Sequence, residues 1–373
     1  MRIRHLLGLL GCFLLALVSV QAAVSVRPTP VEVVTPNPPT PVLADGKRVL
    51  VYELHITNFG SKAFELKRIE IFADGQSTAQ DLSGDELKKC LRPLGEAADP
   101  AKIEVGRRVI VFMWIALNSK EKVPEKLRHK LSFTMDDPKQ PGVNESELDN
   151  IMVPVLHDPV PVLSSPFGEG EWYAGSGPSN SSVHRRSVMS LQGWVFDAQR
   201  FAIDWGLIGK NGDTKHDDTS KNENYWCFGQ PVHAVADGEV TEVVDQYPDN
   251  KPGVLPTVTI ENATGNRVIL QIGQGQYVLF AHLKAGSVRV HAGDKVKRGD
   301  VIAEIGNSGN STGSHLHLHV MDRNSPLASE GIPYVFDSFR FLGWGKDFEP
   351  GKQHPDLPHS SEIPVDDMVT RFH

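Results

Sequence analysis

Apolar and polar residues alternate with a period of two in short runs along most of this chain. In the first half the runs fall at residues 48–57, 64–72, 108–116 and 127–133, with Gly, Asn and Asp turn signals between them. Side chains at i and i+2 share one face of a strand, so each run predicts a half-buried β-strand. Only residues 78–94 carry a pattern compatible with a short helix. In the second half, Gly-punctuated strand patterns fall at 198–207, 230–244, 254–260, 267–272, 277–283, 301–305 and 315–321, and helical periodicity is almost absent. The predicted fold is mostly β throughout.

Proline marks the boundaries. Residues 27–41 are Pro-rich and read as extended linker or edge strand, and residues 158–167 form a second Pro-rich stretch that separates the halves. Short strands with regular turn signals predict an immunoglobulin-like β-sandwich over 27–160. His55 and His129 lie within its strands and read as packing or solvent-face positions. A second, antiparallel β domain is expected over 165–345. Residues 346–373, with Pro350, Pro355, Pro358 and Pro364, read as a tail lying on the surface.

Composition supports two globular domains: 373 residues, 40% apolar and 23% charged. Net charge is −8 and no long basic block occurs, which argues against a nucleic-acid partner. Arg2, Arg4 and His5 precede an apolar run from Leu6 to Val20, and small residues follow at Ala22 and Ala23. This predicts a cleaved signal peptide over 1–22, no stable membrane anchor after its removal, and a secreted or periplasmic protein. Cys12 superficially resembles a lipoprotein box, but more apolar chain follows it. Removal of the signal leaves Cys90 and Cys227, in different domains, which read as unpaired thiols.

The strongest chemical signal is Gly306-Asn-Ser-Gly-Asn-Ser-Thr-Gly-Ser-His315-Leu-His317-Leu-His319. A loop of small polar residues enters a strand whose alternate positions are histidines, so His315 and His317 share a face about 7 Å apart. That places one imidazole to bind a metal and another to move a proton beside it. A solvent-facing polar strand edge is the bland alternative. Upstream, His282 ends the apolar run Tyr277-Val-Leu-Phe-Ala. Asp204 follows Arg200-Phe-Ala-Ile, where Phe201, Ile203 and Trp205 form one face and Arg200, Ala202 and Asp204 the other. Taken singly, His282 fits a packed structural residue, and Asp204 fits a ligand or a turn-side hydrogen-bonder equally.

Together these segments resemble the lysostaphin/LytM-like zinc endopeptidases over about residues 190–325. The resemblance is carried by Gly229-Gln-Pro-Val-His-Ala-Val-Ala-Asp-Gly, Phe280-Ala-His-Leu, Val290-His-Ala-Gly-Asp-Lys-Val-Lys-Arg-Gly-Asp-Val-Ile-Ala and Ser311-Thr-Gly-Ser-His-Leu-His. It implies a small antiparallel core with Zn²⁺ held by His, Asp and His, and a peptide or peptidoglycan substrate. By it Asp204 and His317 become ligands, while His282 and His315 become the catalytic pair. His319 stands where the family often has Glu and receives no role.

One position departs from the family. The first ligand of its His-x-x-x-Asp pattern is Arg200 here, and a guanidinium has no lone pair for zinc. The nearest upstream replacement is His184, with Gly193 allowing the chain to double back before Asp204; His216 and His233 are weaker candidates. A His184, Asp204, His317 set leaves one zinc position open, as in catalytic rather than structural sites. Arg200 is then expected to contact substrate. The rival reading is a catalytically inactive pseudopeptidase acting as a binding or activator module, supported by Arg200. A lipoyl-like carrier is disfavoured, because the Asp237-Gly238 turn lacks the lysine such a module presents.

Overall fold

The computed structural model describes residues 29–74, 77–118, 120–135, 145–216 and 218–372; the expected signal peptide at 1–22 lies outside them. Strand is nearly the only regular structure in the described chain, and no helix in it is long and apolar enough to cross a membrane.

The first half is two five-stranded sheets packed face to face. One has the order Val31–Val34, Lys47–Asn58, Arg108–Asn118, Leu91–Pro93, with Val42–Ala44 also on Lys47–Asn58. The other runs Glu145–Pro154, Lys126–Met135, Phe64–Ala73, Ser77–Ser83, with Lys102–Ile103 on Phe64–Ala73. The alternation sorts the core: Leu50, Tyr52, Leu54 and Ile56 from one sheet meet Ile69, Ile71, Leu131 and Phe133 from the other. The helical pattern at 78–94 is realised only as Gly84–Cys90, because the residues before it pair with Phe64–Ala73 as a strand. Cys90 and Cys227 are both free and buried.

An eleven-stranded sheet dominates the second half. At its centre lie Trp172–Gly175, Ile203–Leu207, Leu316–Met321 and Gln276–Leu283, each hydrogen-bonded to the next. The Pro-rich boundary is structured: Val162–Leu163 pairs in parallel with Val335–Trp344. Residues 254–260, expected as a strand, are irregular, and Val254, Leu255 and Ile260 are exposed. The expected surface tail is instead part of the sheet. Met368–Arg371 inserts between Val335–Trp344 and Trp172–Gly175, and Ile363, Met368, Val369 and Phe372 are buried. The prolines at 350–364 suggested a tail, but they fall largely in the turns and edge that lead to this short apolar strand.

The halves share a core. Val42, Ala44, Val49 and Val51, on the outer face of the sandwich, belong to the same apolar cluster as Leu163, Phe201, Tyr334 and Phe336. Gly46 N and Ile363 N add hydrogen bonds across this interface, to Glu362 Oε1 and Leu43 O, each at 2.9 Å.

Candidate metal and catalytic site

The four central strands bring one row of residues into register. Gly175 pairs with Asp204, Asp204 with His317, and His317 with Ala281. Cross-strand neighbours have their side chains on the same face, so Asp204 and His317 point together, and Asp204 Oδ1 lies 2.9 Å from His317 Nδ1. His282 and His315 flank this row at strand ends.

His184 reaches the row from a loop. Its Nε2 lies 3.3 Å from Asp204 Oδ2, and one ligand atom from each of His184, Asp204 and His317 falls within 4.8 Å of the others. The turn at Gln192 and Gly193 does let the chain double back, with φ of 53° and 87° closing a hairpin between Met189–Leu191 and Trp194–Phe196. That hairpin does not itself pair with the Asp204 strand. His184 is placed instead by the kink after Gly175, where Ser176 adopts φ of 49°. The Ser176 carbonyl accepts hydrogen bonds from Ser182 Oγ at 2.7 Å and His184 Nδ1 at 3.0 Å.

The donor set fits zinc. Two imidazoles and a carboxylate are ligands zinc commonly takes, and a histidine ligand usually has its second nitrogen fixed by a hydrogen bond. Both histidines meet that condition. His184 Nδ1 donates to Ser176 O, and His317 Nε2 lies 2.9 Å from His319 Nδ1. With the second nitrogen of each so engaged, the nitrogens facing Asp204 can offer their lone pairs to a metal. The residue missed by sequence reasoning is His319, and its position two residues from His317 on one strand face was the signal that could have found it.

The Gly/Ser/Asn loop fixes the other two imidazoles. His282 Nδ1 donates to Ser308 O at 2.8 Å, and His315 Nδ1 donates to Gly313 O at 2.8 Å. Ser308 Oγ ties the loop to Leu283 O at 2.8 Å. Gly309 sits at φ of 75°, and a Cβ there would lie 2.3 Å from Gly265 N, so this close approach requires glycine. His282 itself has φ of 60°, opposite a register shift in the neighbouring strand. Strain of this kind costs about 1–3 kcal/mol and concentrates at functional sites.

These side chains line a cavity of about 410 Å³, together with Gln199, Thr264, Asn310 and the apolar Val183, Leu255 and Leu327. Burial pushes the Asp204 carboxyl up, but His315 and His184 outweigh it and hold it well below the usual carboxylate range. Burial, with His315 and His317 nearby, pushes His282 well below the usual histidine value and keeps its ring neutral.

Arg200 is not positioned as expected. The strand begins at Ile203, so Arg200 lies in a preceding turn and the face-sharing argument does not reach it. Its guanidinium is buried, donating to Glu53 Oε2 and Glu330 Oε2, each at 2.8 Å, and to Gly331 O at 2.8 Å. Those bonds occupy it, and it does not line this cavity. His216 stacks near Trp226, and His233 bonds Gly299 O; neither joins the cluster.

Residues 226–329 match the family model of peptidase family M23. That stretch is similar to the M23 peptidases. A DD-carboxypeptidase/endopeptidase, Mpg, of Neisseria meningitidis serogroup B is 34% identical over 99 residues, covering 26% of this chain and 19% of Mpg. The peptidoglycan DD-endopeptidase ShyB of Vibrio cholerae serotype O1 is 32% identical over 100 residues, covering 27% of this chain and 20% of ShyB. The chain thus spans about a fifth of the length of these curated relatives. Among solved structures, the catalytic domain of lysostaphin from Staphylococcus simulans matches 44% of this chain and 88% of its own, at 19% identity and TM-score 0.25. The M23 match begins after both Asp204 and His184, so those two residues rest on the geometry above.

Proposed function

We propose that this protein is an exported zinc-dependent endopeptidase that hydrolyses peptide bonds in peptidoglycan cross-bridges or other envelope peptides. The observation that carries the reading is the convergence of His184, Asp204 and His317, with the second nitrogen of each histidine already hydrogen-bonded, beside His282 and His315. The M23 match and the printed names of Mpg and ShyB support a cell-wall peptide as substrate.

Zinc held by those three residues supplies Lewis acidity, making water more acidic and the scissile carbonyl more electrophilic. The chain's own residues do the rest. His282, its Nδ1–H committed to Ser308 O, offers Nε2 to the cavity as a proton acceptor. After taking the proton, the same nitrogen becomes a donor for the oxygen that gains charge or for the departing amine. His315, anchored through Nδ1 to Gly313 O, holds its Nε2 3.3 Å from Asp204 Oδ1 at the other edge of the site. From there, in its imidazolium form, it stabilises the negative charge that develops on the carbonyl oxygen.

Arg200 was the feature that favoured an inactive pseudopeptidase. Its burial among carboxylates gives it a different role, and His184 supplies a third ligand. Incubation of the mature protein with purified peptidoglycan tests the reading. New amino termini should appear, stop with a zinc chelator and return with added zinc. Binding to peptidoglycan without any cleavage would favour the non-catalytic module.

A further inference from the structure

His184, Arg185 and Arg186 are consecutive, yet only His184 faces the cavity. Arg185 is fully buried and turned toward the N-terminal sandwich. Its Nη2 donates to Tyr52 O at 3.0 Å, Met113 O at 2.8 Å and Glu53 Oε1 at 3.2 Å. Arg186 Nη1 donates to Leu91 O at 3.3 Å, its Nη2 donates to Lys89 O, and its guanidinium lies 4.9 Å from the Phe112 ring centroid. From the sandwich side, Arg92 Nη1 donates to Arg186 O and to Val188 O. Asn180 Nδ2 donates to Phe112 O at 3.2 Å. The loop bearing His184 is thus gripped on both flanks by the other half of the protein.

We propose that the N-terminal sandwich completes the metal site, with Glu53 a positioning residue that acts through Arg185 to hold His184 against Asp204 and His317. The inference rests on reading those three as zinc ligands. The stretch from 176 to 188 contains no strand or helix; within the peptidase half it is held by the Ser176 bonds, by turns such as Ser187 N to His184 O at 2.9 Å, and by Gly177 N to Asp366 Oδ1 at 3.1 Å. Ordering such a loop costs conformational entropy, which its partners must offset. Glu53 supplies a buried carboxylate whose two oxygens serve both arginines: Oε1 accepts from Arg185 and Oε2 from Arg200. One carboxylate from the sandwich thereby ties the loop of His184 to the turn that enters the Asp204 strand. In sequence, Arg200 stands at the position of the first His in the His-x-x-x-Asp pattern of the resembled family. Its use as an anchor and the recruitment of His184 from a sandwich-held loop are two sides of one arrangement.

A residue that merely glues two domains together would affect zinc equally with or without His184. A residue acting through His184 would not. Zinc dissociation constants of the full mature protein, measured by competition with a chromophoric chelator, separate the two. Glu53→Gln and Arg186→Gln should each weaken zinc binding by roughly tenfold or more, the range typical of groups that orient a ligand. In a His184→Ala background, Glu53→Gln should cause no further loss. The visible spectrum of the cobalt(II)-loaded protein should change in Glu53→Gln as it does in His184→Ala. Unchanged affinity in both single variants, or an equal fold-loss with and without His184, would overturn the proposal. Should Glu53→Gln fail to fold, Arg186→Gln with Arg186→Gln/His184→Ala decides by the same comparison. Failure of the underlying ligand reading looks different: the wild type would bind no zinc, or His184→Ala would bind it normally.

Discussion

His317 and His319 lie two residues apart on one strand, and Nε2 of the first is 2.9 Å from Nδ1 of the second. The contact follows from strand geometry, since i and i+2 share a face. Zinc on His317 would select a tautomer. With His317 Nδ1 giving its lone pair to the metal beside Asp204, Nε2 would carry the proton and His319 Nδ1 would accept it.

Replacing His319 should therefore weaken metal binding without touching the ligands. His319→Leu removes the acceptor and is expected to lower zinc affinity about 10–100-fold, whereas His319→Gln, which retains an acceptor oxygen, should lose less. Chelator competition measures both. Equal affinities for the two variants would contradict the tautomer argument.

His282 and His315 should separate from the ligands in a different assay. His282→Ala and His315→Ala are each expected to abolish hydrolysis while keeping close to the wild-type zinc content, because their anchoring bonds run to Ser308 O and Gly313 O outside the ligand set. His317→Ala should lose both. Zinc loss in His315→Ala matching that in His317→Ala would show that the roles are misassigned.

The strands of the sandwich and the His282, His315 and His317 motif were legible in the sequence, because alternation and the Gly/Ser/Asn loop are local signals. Phe201, Ile203 and Trp205 went into the core as their spacing implied. What could not be read depended on contacts between distant segments. A substrate contact through Arg200 requires its strand to begin early, and its meeting with Glu53, 147 positions away, is a contact no local pattern reveals. The last strand was masked by prolines, and its insertion between Val335–Trp344 and Trp172–Gly175 is a tertiary choice. The arginines beside His184 anchor its loop through Met113 O and Leu91 O, contacts that no local pattern reveals.

The shared core makes a prediction about unfolding. Val42, Ala44, Val49 and Val51 of the sandwich are each under 5% exposed within a cluster dominated by the second half. Separating the halves would expose that apolar surface, at roughly 25 cal/mol per Å². Calorimetry of the full chain should show one cooperative transition. Two well-separated transitions would mean the halves unfold independently.

The sandwich should lose stability in acid. His129 is buried against Tyr52 Oη at 2.7 Å, and burial pushes its pKa from 6.5 down to about 4. The folded form thus takes up its proton later than the unfolded form. Its contribution is present above pH 6.5 and is lost as pH falls through about 4, amounting to roughly 3 kcal/mol. Burial drives His55 in the same direction, also to about 4. Urea unfolding at pH 7 and pH 4.5 should show a steeper fall for the wild type than for His129→Gln. Parallel profiles would contradict this.

The most direct test of the central claim is the zinc content of purified mature protein and three single variants, His184→Ala, His216→Ala and His233→Ala, by elemental analysis after dialysis. The wild type, His216→Ala and His233→Ala are expected to retain about one zinc per chain, and His184→Ala to retain little, because His184 alone of the three lies with Asp204 and His317. Zinc in His184→Ala equal to that of the wild type, or a wild type without zinc, would contradict the account.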